Sequence, residues 1–378
     1  MIHQLLDPGT WPEESRPSVT PDELWRDGVR RVVRAPRLDG APSFYPLYQL
    51  GDAYSHSPLA LIVRSGSMRL DRDYGRRRSR MDARYLSDAR TLDLRVRRVG
   101  APRLGTRALS DRNAFITRFA DALRADVASQ EARHPGAVNV VLCGGRDSLN
   151  LLLLPWRNPV LVLSAAPNFA LVERFVQDNA LPMDVRELRD DDRSMLDAEI
   201  LVNLCRNDLR HCRWSGELRT IAAELGGRVV FWKGQLGDTF LTPFWRSYTH
   251  PAWARRIVRL PVVRDHVGGA LGQAYFWWSH YWRGAMWQGT HLSLLRDLTG
   301  ALFLSAYHGV RVTELLAEVD LESVVTEDLR PAIGAQLAGV PVHYPLSNPG
   351  PASSSWRTGA STVPRFLEVA QRVGLRVE

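Results

Sequence analysis

Two short segments place glycine and aspartate directly after apolar, strand-like runs, a combination that could bind phosphate and a metal ion. The first segment, 143–148, reads Cys-Gly-Gly-Arg-Asp-Ser and ends the apolar run 138–143. Gly144 and Gly145 would let the main chain approach a ligand closely, and the N–H groups of a strand-to-helix turn favour an anion. Ser148 could add a hydroxyl donor, and Asp147 could hold Mg²⁺. An ordinary turn with a capping Asp or Ser explains these six residues equally well.

The second segment, 233–240, reads Lys-Gly-Gln-Leu-Gly-Asp-Thr-Phe and follows the apolar run 228–232. Its aspartate, Asp238, lies 91 residues after Asp147. Two carboxylates from separate strands could bracket one magnesium site. The alternative for Asp238 is again a turn or capping role. The first segment is neither a Walker loop, because no Gly-Lys-Ser/Thr follows, nor a dinucleotide fingerprint, because the third glycine is missing.

The elements that must position these segments alternate along the chain. Helical spacing of Phe115, Phe119, Leu123 and Val127 predicts an amphipathic helix over 111–133. Short apolar runs predict buried strands, and patterns between them predict helices. The sequence therefore predicts an α/β fold with a doubly wound parallel sheet, whose ligands bind at the carboxyl ends of the strands. The strands are expected at 138–143, 160–164 and 228–232, and the further helices at 148–154, 168–179 and 215–225.

Composition divides the chain at about residue 107. Residues 1–107 are rich in proline and arginine and predict a small β-rich region, with strand-like runs at 59–63 and 92–96. Residues 108–378 form the α/β domain, which we expect to be mostly helical from about 250 to 340. The aromatic stretch 275–282 is expected in the core of that helical part or at a homodimer contact, and the alternative is the wall of a substrate pocket.

Overall composition excludes several classes of protein. The chain has 378 residues, of which 45% are hydrophobic and 24% are charged, as in ordinary globular proteins. No apolar run reaches the roughly 18–20 residues of a membrane span, and the N-terminus does not resemble a signal peptide. The three cysteines are too few and too scattered for a disulfide scaffold, and Cys205 and Cys212 have poor zinc spacing. We therefore expect a cytoplasmic protein with no membrane partner.

The net charge of +8 comes almost entirely from arginine, since Lys233 is the single lysine. A GC-rich genome explains that bias, and a surface for phosphate, nucleic acid or an acidic peptide is the alternative. No Cys-x-x-Cys pair or recognisable RNA-binding module is present, which argues against a nucleic-acid partner.

The two segments together carry a resemblance to a known family. Segment 143–148 resembles the pyrophosphate loop Ser-Gly-Gly-x-Asp-Ser of the ATP pyrophosphatase superfamily, with Cys143 replacing the first serine. Segment 233–240 resembles Ser-Gly-Glu-Gly-Ala-Asp-Glu-Leu-Phe of the asparagine synthetase family. Their order, strand context and separation fit the synthetase domain of that family, over about residues 110–345. The implied fold is that of the adenine nucleotide alpha-hydrolases.

The resemblance implies that ATP activates a carboxylate as an acyl-adenylate, with Mg²⁺, and that an amine then displaces AMP to form an amide. Asp147 and Asp238 match the two magnesium ligands, and Gly144, Gly145 and Ser148 match the pyrophosphate cradle. Four further positions look like the sites that contact adenosine through the main chain: Leu142, Ser164, Lys233 and Gly234. Ser164 is explained equally well as a strand-end serine. Cys143 is also counted among the cofactor-binding positions.

Departures from the family pattern narrow the reaction. Position 2 is Ile2 rather than the glutaminase cysteine, and about 110 residues are too few for that domain, so ammonia from glutamine is not expected. The family's late catalytic lysine has no counterpart after Lys233. Arg283, Arg311 and His343 are the candidate cations in its place, and Arg311 is taken here as the catalytic candidate.

The sequence thus predicts an ATP-dependent, AMP-forming ligase that makes an amide or lactam in natural-product or modified-peptide biosynthesis. Its substrate is a small-molecule or peptide carboxylate with an amine nucleophile, and a precursor peptide or pathway protein is a candidate partner. β-Lactam synthetases and lasso-peptide cyclases are the relatives this resemblance indicates. The alternative is a degenerate relative that keeps the fold as a binding or scaffold partner.

Overall fold

A computed structural model describes most of the region that holds both segments. The described residues are 48–50, 53–55, 67–70, 85–87, 109–188, 214–235, 237–243, 292, 295–296, 299–309, 311–312, 315–316, 319, 321–345, 368, 371 and 376–377. The aromatic stretch 275–282, Arg283 and the strand-like runs 59–63 and 92–96 lie outside them.

Four short strands belong to the N-terminal region. Strands β1 (Tyr48–Leu50) and β2 (Ala53–Ser55) pair antiparallel, as do β3 (Ser67–Leu70) and β4 (Tyr85–Ser87). A C-terminal strand, numbered β10 (Arg376–Val377), pairs parallel with β3. Because most of residues 1–107 lies outside the described part, the β-rich character of that region stays a prediction.

A five-stranded, wholly parallel sheet forms the centre of the described chain. Its strands are β5 (Val138–Cys143), β6 (Val160–Ala165), β7 (Asp184–Leu188), β8 (Val229–Lys233) and β9 (Leu302–Ser305). Their order across the sheet is β7-β6-β5-β8-β9. The chain moves outward from β5 through β6 to β7, then returns to the other side of β5 as β8. The predicted α/β fold with a parallel sheet is confirmed at this level.

Helices connect the strands of this sheet. The structure has α1 (Arg112–Arg133), α2 (Arg146–Leu149) followed by a 3₁₀ turn (Asn150–Leu153), α3 (Phe169–Asp178), α4 (Ser215–Glu224), α5 (Gly237–Leu241), a 3₁₀ turn (Ala306–His308), α6 (Leu321–Val324) and α7 (Arg330–Ala338). None of the described helices is long and apolar enough to cross a membrane.

Both faces of the sheet are buried, as expected for parallel strands. On one face, Val141 and Trp232 belong to a core shared with α1, α3 and α7. On the other, Phe231 and Phe303 stack with ring centroids 4.6 Å apart. This continuous apolar character explains why short runs of Val, Leu and Phe identified β5, β6 and β8 without alternation.

Helix α1 begins where a capping side chain ends the preceding loop. Asp111 accepts hydrogen bonds from the main-chain N–H groups of Asn113 and Ala114, at 2.8 and 3.0 Å. Its predicted apolar side chains, Phe115, Phe119, Leu123 and Val127, are all buried in the core. The helix predicted over 111–133 is therefore confirmed, and it supports the sheet beneath the candidate site.

Two strands and one helix differ from the expectation. Strand β7 was not predicted, because an edge strand reading Asp-Val-Arg-Glu-Leu has too little apolar character. Strand β9 lies within the stretch expected to be mostly helical, since four residues are too short to show a period. The helix expected over 148–154 is instead α2, which starts at Arg146, followed by the 3₁₀ turn Asn150–Leu153.

Candidate active site

The predicted site residues lie at one edge of the sheet. Leu142 of β5 is in register with Lys233, the last residue of β8, and Cys143 is in register with Ser164 of β6. Lys233 is in turn in register with Ser305, the last residue of β9. Strand order reverses between β5 and β8, and in open α/β sheets the crevice at such a reversal binds ligands.

The glycine turn after β5 is held together by its own serine. The Ser148 hydroxyl accepts hydrogen bonds from the N–H groups of Gly144 and Gly145, at 3.1 and 3.3 Å, and donates to the Gly145 carbonyl at 2.8 Å. Ser148 is buried. It therefore organises the turn, whereas the sequence suggested a hydroxyl directed at a ligand.

The loops that follow β5 and β8 touch each other along their main chains. A Cβ atom on Gly234 would lie only 2.5 Å from the main-chain nitrogen of Ser148. A Cβ on Gly237 would lie 2.8 Å from Cγ of Asp147. Glycine is thus required at both positions by close approach. The structure brings the two sequence segments into direct contact.

Asp147 lies beside Asp238 at this contact. The Asp147 carboxylate accepts a hydrogen bond from the main-chain N–H of Asp238. Burial and the neighbouring charge of Asp238 raise the pKa of Asp147 to about 6, and the charge and hydrogen bonds of Arg330 and the Asp238 amide oppose that rise. A second carboxylate in the same place disfavours the ionisation of Asp147 and favours a bound cation.

The cation that the structure places on Asp147 is Arg330, the first residue of α7. Its Nη1 lies 2.6 Å from Oδ1 of Asp147. Its Nε and Nη2 donate to both oxygens of Asp328, at 2.8 and 2.7 Å. Arg146 lies on the other side of Asp328, at 3.5 Å. Burial would raise the pKa of Asp328, but hydrogen bonds and charge from Arg330 lower it.

Further hydrogen bonds fix the main chain around the turn. Tyr307, which is fully buried, donates its hydroxyl to the main-chain carbonyl of Asp147 at 2.8 Å. The Ser164 hydroxyl donates to the carbonyl of Cys143 at 2.7 Å, and the Asn168 side-chain amide donates to that of Gly144 at the same distance. Ser164 thus ties β6 to β5.

The Cys143 thiol is buried, and burial raises its pKa to about 12. Desolvation of this thiol outweighs any effect of the helix N-terminus that follows it. A thiol of this kind is not a nucleophile.

The catalytic candidate Arg311 lies in a different set of contacts. Its main-chain N–H and its Nη1 donate to Oδ1 of Asp126 on α1, at 3.3 and 3.1 Å. Val312 donates its N–H to the other oxygen of Asp126 at 3.0 Å. Arg311 thus anchors the segment after β9 to α1, whereas Arg330 is the arginine bonded to Asp147.

The donor set suits magnesium. Mg²⁺ is commonly held by one or two carboxylates, with phosphate and water completing its coordination. Asp147 and Asp238 supply such a pair. Within the described ranges, no group of three or more His, Cys, Asp or Glu side chains is arranged to hold a metal. A magnesium ion bound here would therefore depend on the phosphates of a ligand. It would also share Asp147 with Arg330, which is bonded to that carboxylate.

Sequence reasoning found the two aspartates and the glycines but missed Arg330 and Asp328. Arg330 is 183 residues from Asp147, and only the fold brings them together. Tyr307 fell within the family resemblance, yet nothing in its neighbourhood indicated that it bonds to the turn.

A separate cavity of about 990 Å³ lies at the opposite, amino edge of the sheet. Its lining includes 152–156, 178–183, 337–338 and 340–343. It therefore contains the candidate cation His343, but none of the residues predicted to bind ATP or magnesium. Several of its polar lining side chains bond within the protein. For example, Asn179 donates to the carbonyls of Phe175 and His343, and accepts from the N–H of His343.

Comparison of the chain with known protein families and with curated proteins found no match.

Proposed function

We propose that this protein is an ATP-dependent, AMP-forming ligase that activates a carboxylate as an acyl-adenylate and joins it to an amine. The observation that carries the proposal is the contact between the loops after β5 and β8. It places Asp147 and Asp238 together at the carboxyl edge of a parallel sheet, where strand order reverses. This strand order is typical of doubly wound nucleotide-binding folds and supports the adenine nucleotide alpha-hydrolase-like class.

In the proposed reaction, an oxygen of the acyl carboxylate attacks the α-phosphorus of ATP, and pyrophosphate leaves. The amine then attacks the acyl carbon, AMP leaves, and the amine loses a proton as the amide forms. Mg²⁺ held by Asp147 and Asp238 would neutralise charge on the phosphates. Gly144 and Gly145 would bring the main chain close to the leaving pyrophosphate. Leu142, Ser164, Lys233 and Gly234 line the same edge and would face the nucleoside.

Lactam formation within one molecule and amide formation on a peptide are both compatible with the proposal.

A second candidate function is that of a non-catalytic binding partner that keeps the fold. The observation that favours it is that several polar groups of the site already bond to one another. Arg330 is bonded to Asp147, and Ser148 accepts from both glycine N–H groups. No lysine follows Lys233 to assist amide formation.

Calorimetry with ATP and Mg²⁺ separates the two candidates. The ligase predicts binding by the full chain that is lost in Asp147→Asn and in Asp238→Asn. Asp121→Asn is the matched control, because Asp121 is an exposed carboxylate on α1 that pairs only with Arg124 in the described contacts. Binding that is equal in all four proteins would contradict the site.

Product analysis then tests the chemistry. With a carboxylate substrate, the ligase releases AMP and pyrophosphate, and either aspartate variant lowers the rate by about 10²–10³-fold, as expected for a lost charge-stabilising group. Release of ADP, or stable binding of ATP without AMP from any carboxylate and amine screened, would favour the second candidate.

A further inference from the structure

Arg330 occupies the place that a metal ion would need. Its guanidinium touches Asp147 at 2.6 Å, and its side chain is only 13% exposed. The main-chain N–H of Asp238 donates to the same carboxylate, and the Asp238 charge lies near it. The positive charge that a pair of buried carboxylates requires is therefore supplied by the chain itself.

Asp328 holds Arg330 without the help of Asp147. Two parallel hydrogen bonds, from Nε and Nη2, join the guanidinium to the two oxygens of Asp328, the strongest geometry for this pair. The contact to Asp147 uses the remaining nitrogen alone. Arg330 can thus release Asp147 and keep its partner, without stranding a buried charge.

Asp147 in turn stays in place without Arg330. Tyr307 donates to its main-chain carbonyl, the Asp238 amide donates to its carboxylate, and Gly237 approaches its side chain closely. The two halves of the ion pair are each fixed by other contacts, so separating them leaves both intact.

From these contacts we infer that Arg330 competes with divalent metal for Asp147, so that the free protein binds metal weakly. A polyphosphate ligand offers the guanidinium an alternative anion, and the metal then binds together with that ligand. This inference deepens the proposed function and rests on it for the identity of the polyphosphate, but the competition itself concerns only the chain and the metal.

The test measures binding of Mn²⁺ alone to the full chain, from the electron paramagnetic resonance signal of the free ion. Mn²⁺ accepts the same oxygen ligands as Mg²⁺. Arg330→Gln should tighten Mn²⁺ binding by at least about tenfold, because it removes a unit charge a few ångströms from the ligands. Adding Asp147→Asn to Arg330→Gln should abolish the gain.

Arg146→Gln is the matched control. Arg146 also contacts Asp328 and carries the same charge, but its described contacts do not include Asp147. It should leave Mn²⁺ binding within about twofold of the wild type, since the Arg146 side chain is twice as exposed as that of Arg330 and its charge is better screened. Arg330→Lys keeps a charge in the site and should give intermediate binding, because a single ammonium cannot match the planar fork of arginine.

Equal Mn²⁺ binding by the wild type and Arg330→Gln overturns the inference. So does an equal gain in Arg146→Gln, which would mean that net charge alone matters. Should Arg330→Gln not fold, Arg330→Lys carries the test, and binding identical to that of the wild type overturns it. If Arg330→Gln gains Mn²⁺ affinity while no protein binds ATP, the competition stands and the proposed function fails. If the proteins bind ATP but Arg330→Gln gains no Mn²⁺ affinity, the competition is refuted and the proposed function stands.

Discussion

The two edges of the central sheet each hold a buried or half-buried carboxylate, in contrasting surroundings. At the amino edge, Glu131 of α1 accepts from the Asn139 side chain at 2.7 Å and from the N–H groups of Arg157 and Asn158 at 3.1 and 3.0 Å. At the carboxyl edge, Asp147 has the Arg330 guanidinium and a second carboxylate as neighbours.

The difference separates a carboxylate whose partners are fixed from one that we propose binds a ligand. The donors around Glu131 are fixed by main chain or by the network that runs from Asn139 to the indole of Trp232 at 2.9 Å. Such a network is fully satisfied and resists change. Asp147 instead sits where its ionisation is opposed and where its cation can be exchanged. Stability should therefore depend on Glu131, and ligand binding on Asp147.

The largest expected effect is on Glu131→Gln. In the wild type, N–H donors bond to both oxygens of the carboxylate. The amide NH₂ of glutamine would face some of these donors and leave them unpaired, so we expect the free energy of unfolding to fall by about 3 kcal/mol. Urea denaturation measures it. Asp121→Asn, an exposed change on the same helix, should stay within about 0.5 kcal/mol of the wild type. If Glu131→Gln lowers the free energy of unfolding by no more than Asp121→Asn does, Glu131 is not the carboxylate on which stability depends.

Gly234→Ala tests whether the two loops must touch. The added Cβ meets main-chain atoms of Ser148, which cannot move as a flexible side chain would. We expect a loss of about 2 kcal/mol, as in other overpacked sites. Gly144→Ala is the control, because nothing lies within 4 Å of its Cβ position and its φ is not positive. Gly144→Ala should keep the melting temperature and weaken nucleotide binding.

The pH dependence of stability provides a smaller effect. The pKa of Asp147 in the folded state, about 6, lies above its ordinary value of 3.8. The folded protein therefore binds more protons than the unfolded one between these values, and this group's contribution to stability is lost as pH rises through 6. Between about pH 5 and pH 7, the wild type should lose about 1 kcal/mol relative to Asp147→Asn.

Measuring both proteins by urea denaturation across that range gives the difference for Asp147 and the groups coupled to it, because titration of distant groups cancels. A difference that stays flat with pH, or that grows towards high pH, would mean that Asp147 is not desolvated beside Asp238. The comparison with Glu131 would then lose its electrostatic basis.

The smallest effect is expected for Tyr307→Phe. This change removes the hydroxyl that donates to the Asp147 carbonyl and keeps the buried ring, which packs 6.1 Å from that of Phe119. A cost of about 1 kcal/mol is typical of one lost hydrogen bond. The same change should also be made in the Arg330→Gln variant. If it costs more free energy of Mn²⁺ binding there than it costs free energy of unfolding, the hydrogen bond positions the metal ligand.

Local pattern accounts for much of the fold and about half of the site. Strand β5 was predicted with its exact bounds, because a buried run between a Pro-Gly turn and two glycines has clear ends. Asp147 and Asp238 were predicted because glycine and aspartate after a strand form a local signal. Strand β7 alternates charged and apolar residues at a sheet edge, and no such signal marks it.

Arg330 could not be predicted for a different reason. Nothing near it in sequence distinguishes it from the many other arginines, and its role arises only from a contact with a residue 183 positions away. Nothing in the sequence distinguishes Arg311 from Arg283 and His343 as the candidate cation. The fold bonds Arg311 to Asp126 and brings Arg330 of α7 to Asp147.

The order of the strands also determines when the site is completed during synthesis. The ribosome releases Asp147 and β5 early, together with β6 and β7, whereas β8 and Asp238 follow about 90 residues later along the printed sequence. Arg330 comes last of the three. The growing chain therefore presents a pair of carboxylates before their cation exists, and only the emergence of α7 completes charge neutralisation. Any truncation before residue 330 leaves the sheet's central crevice acidic.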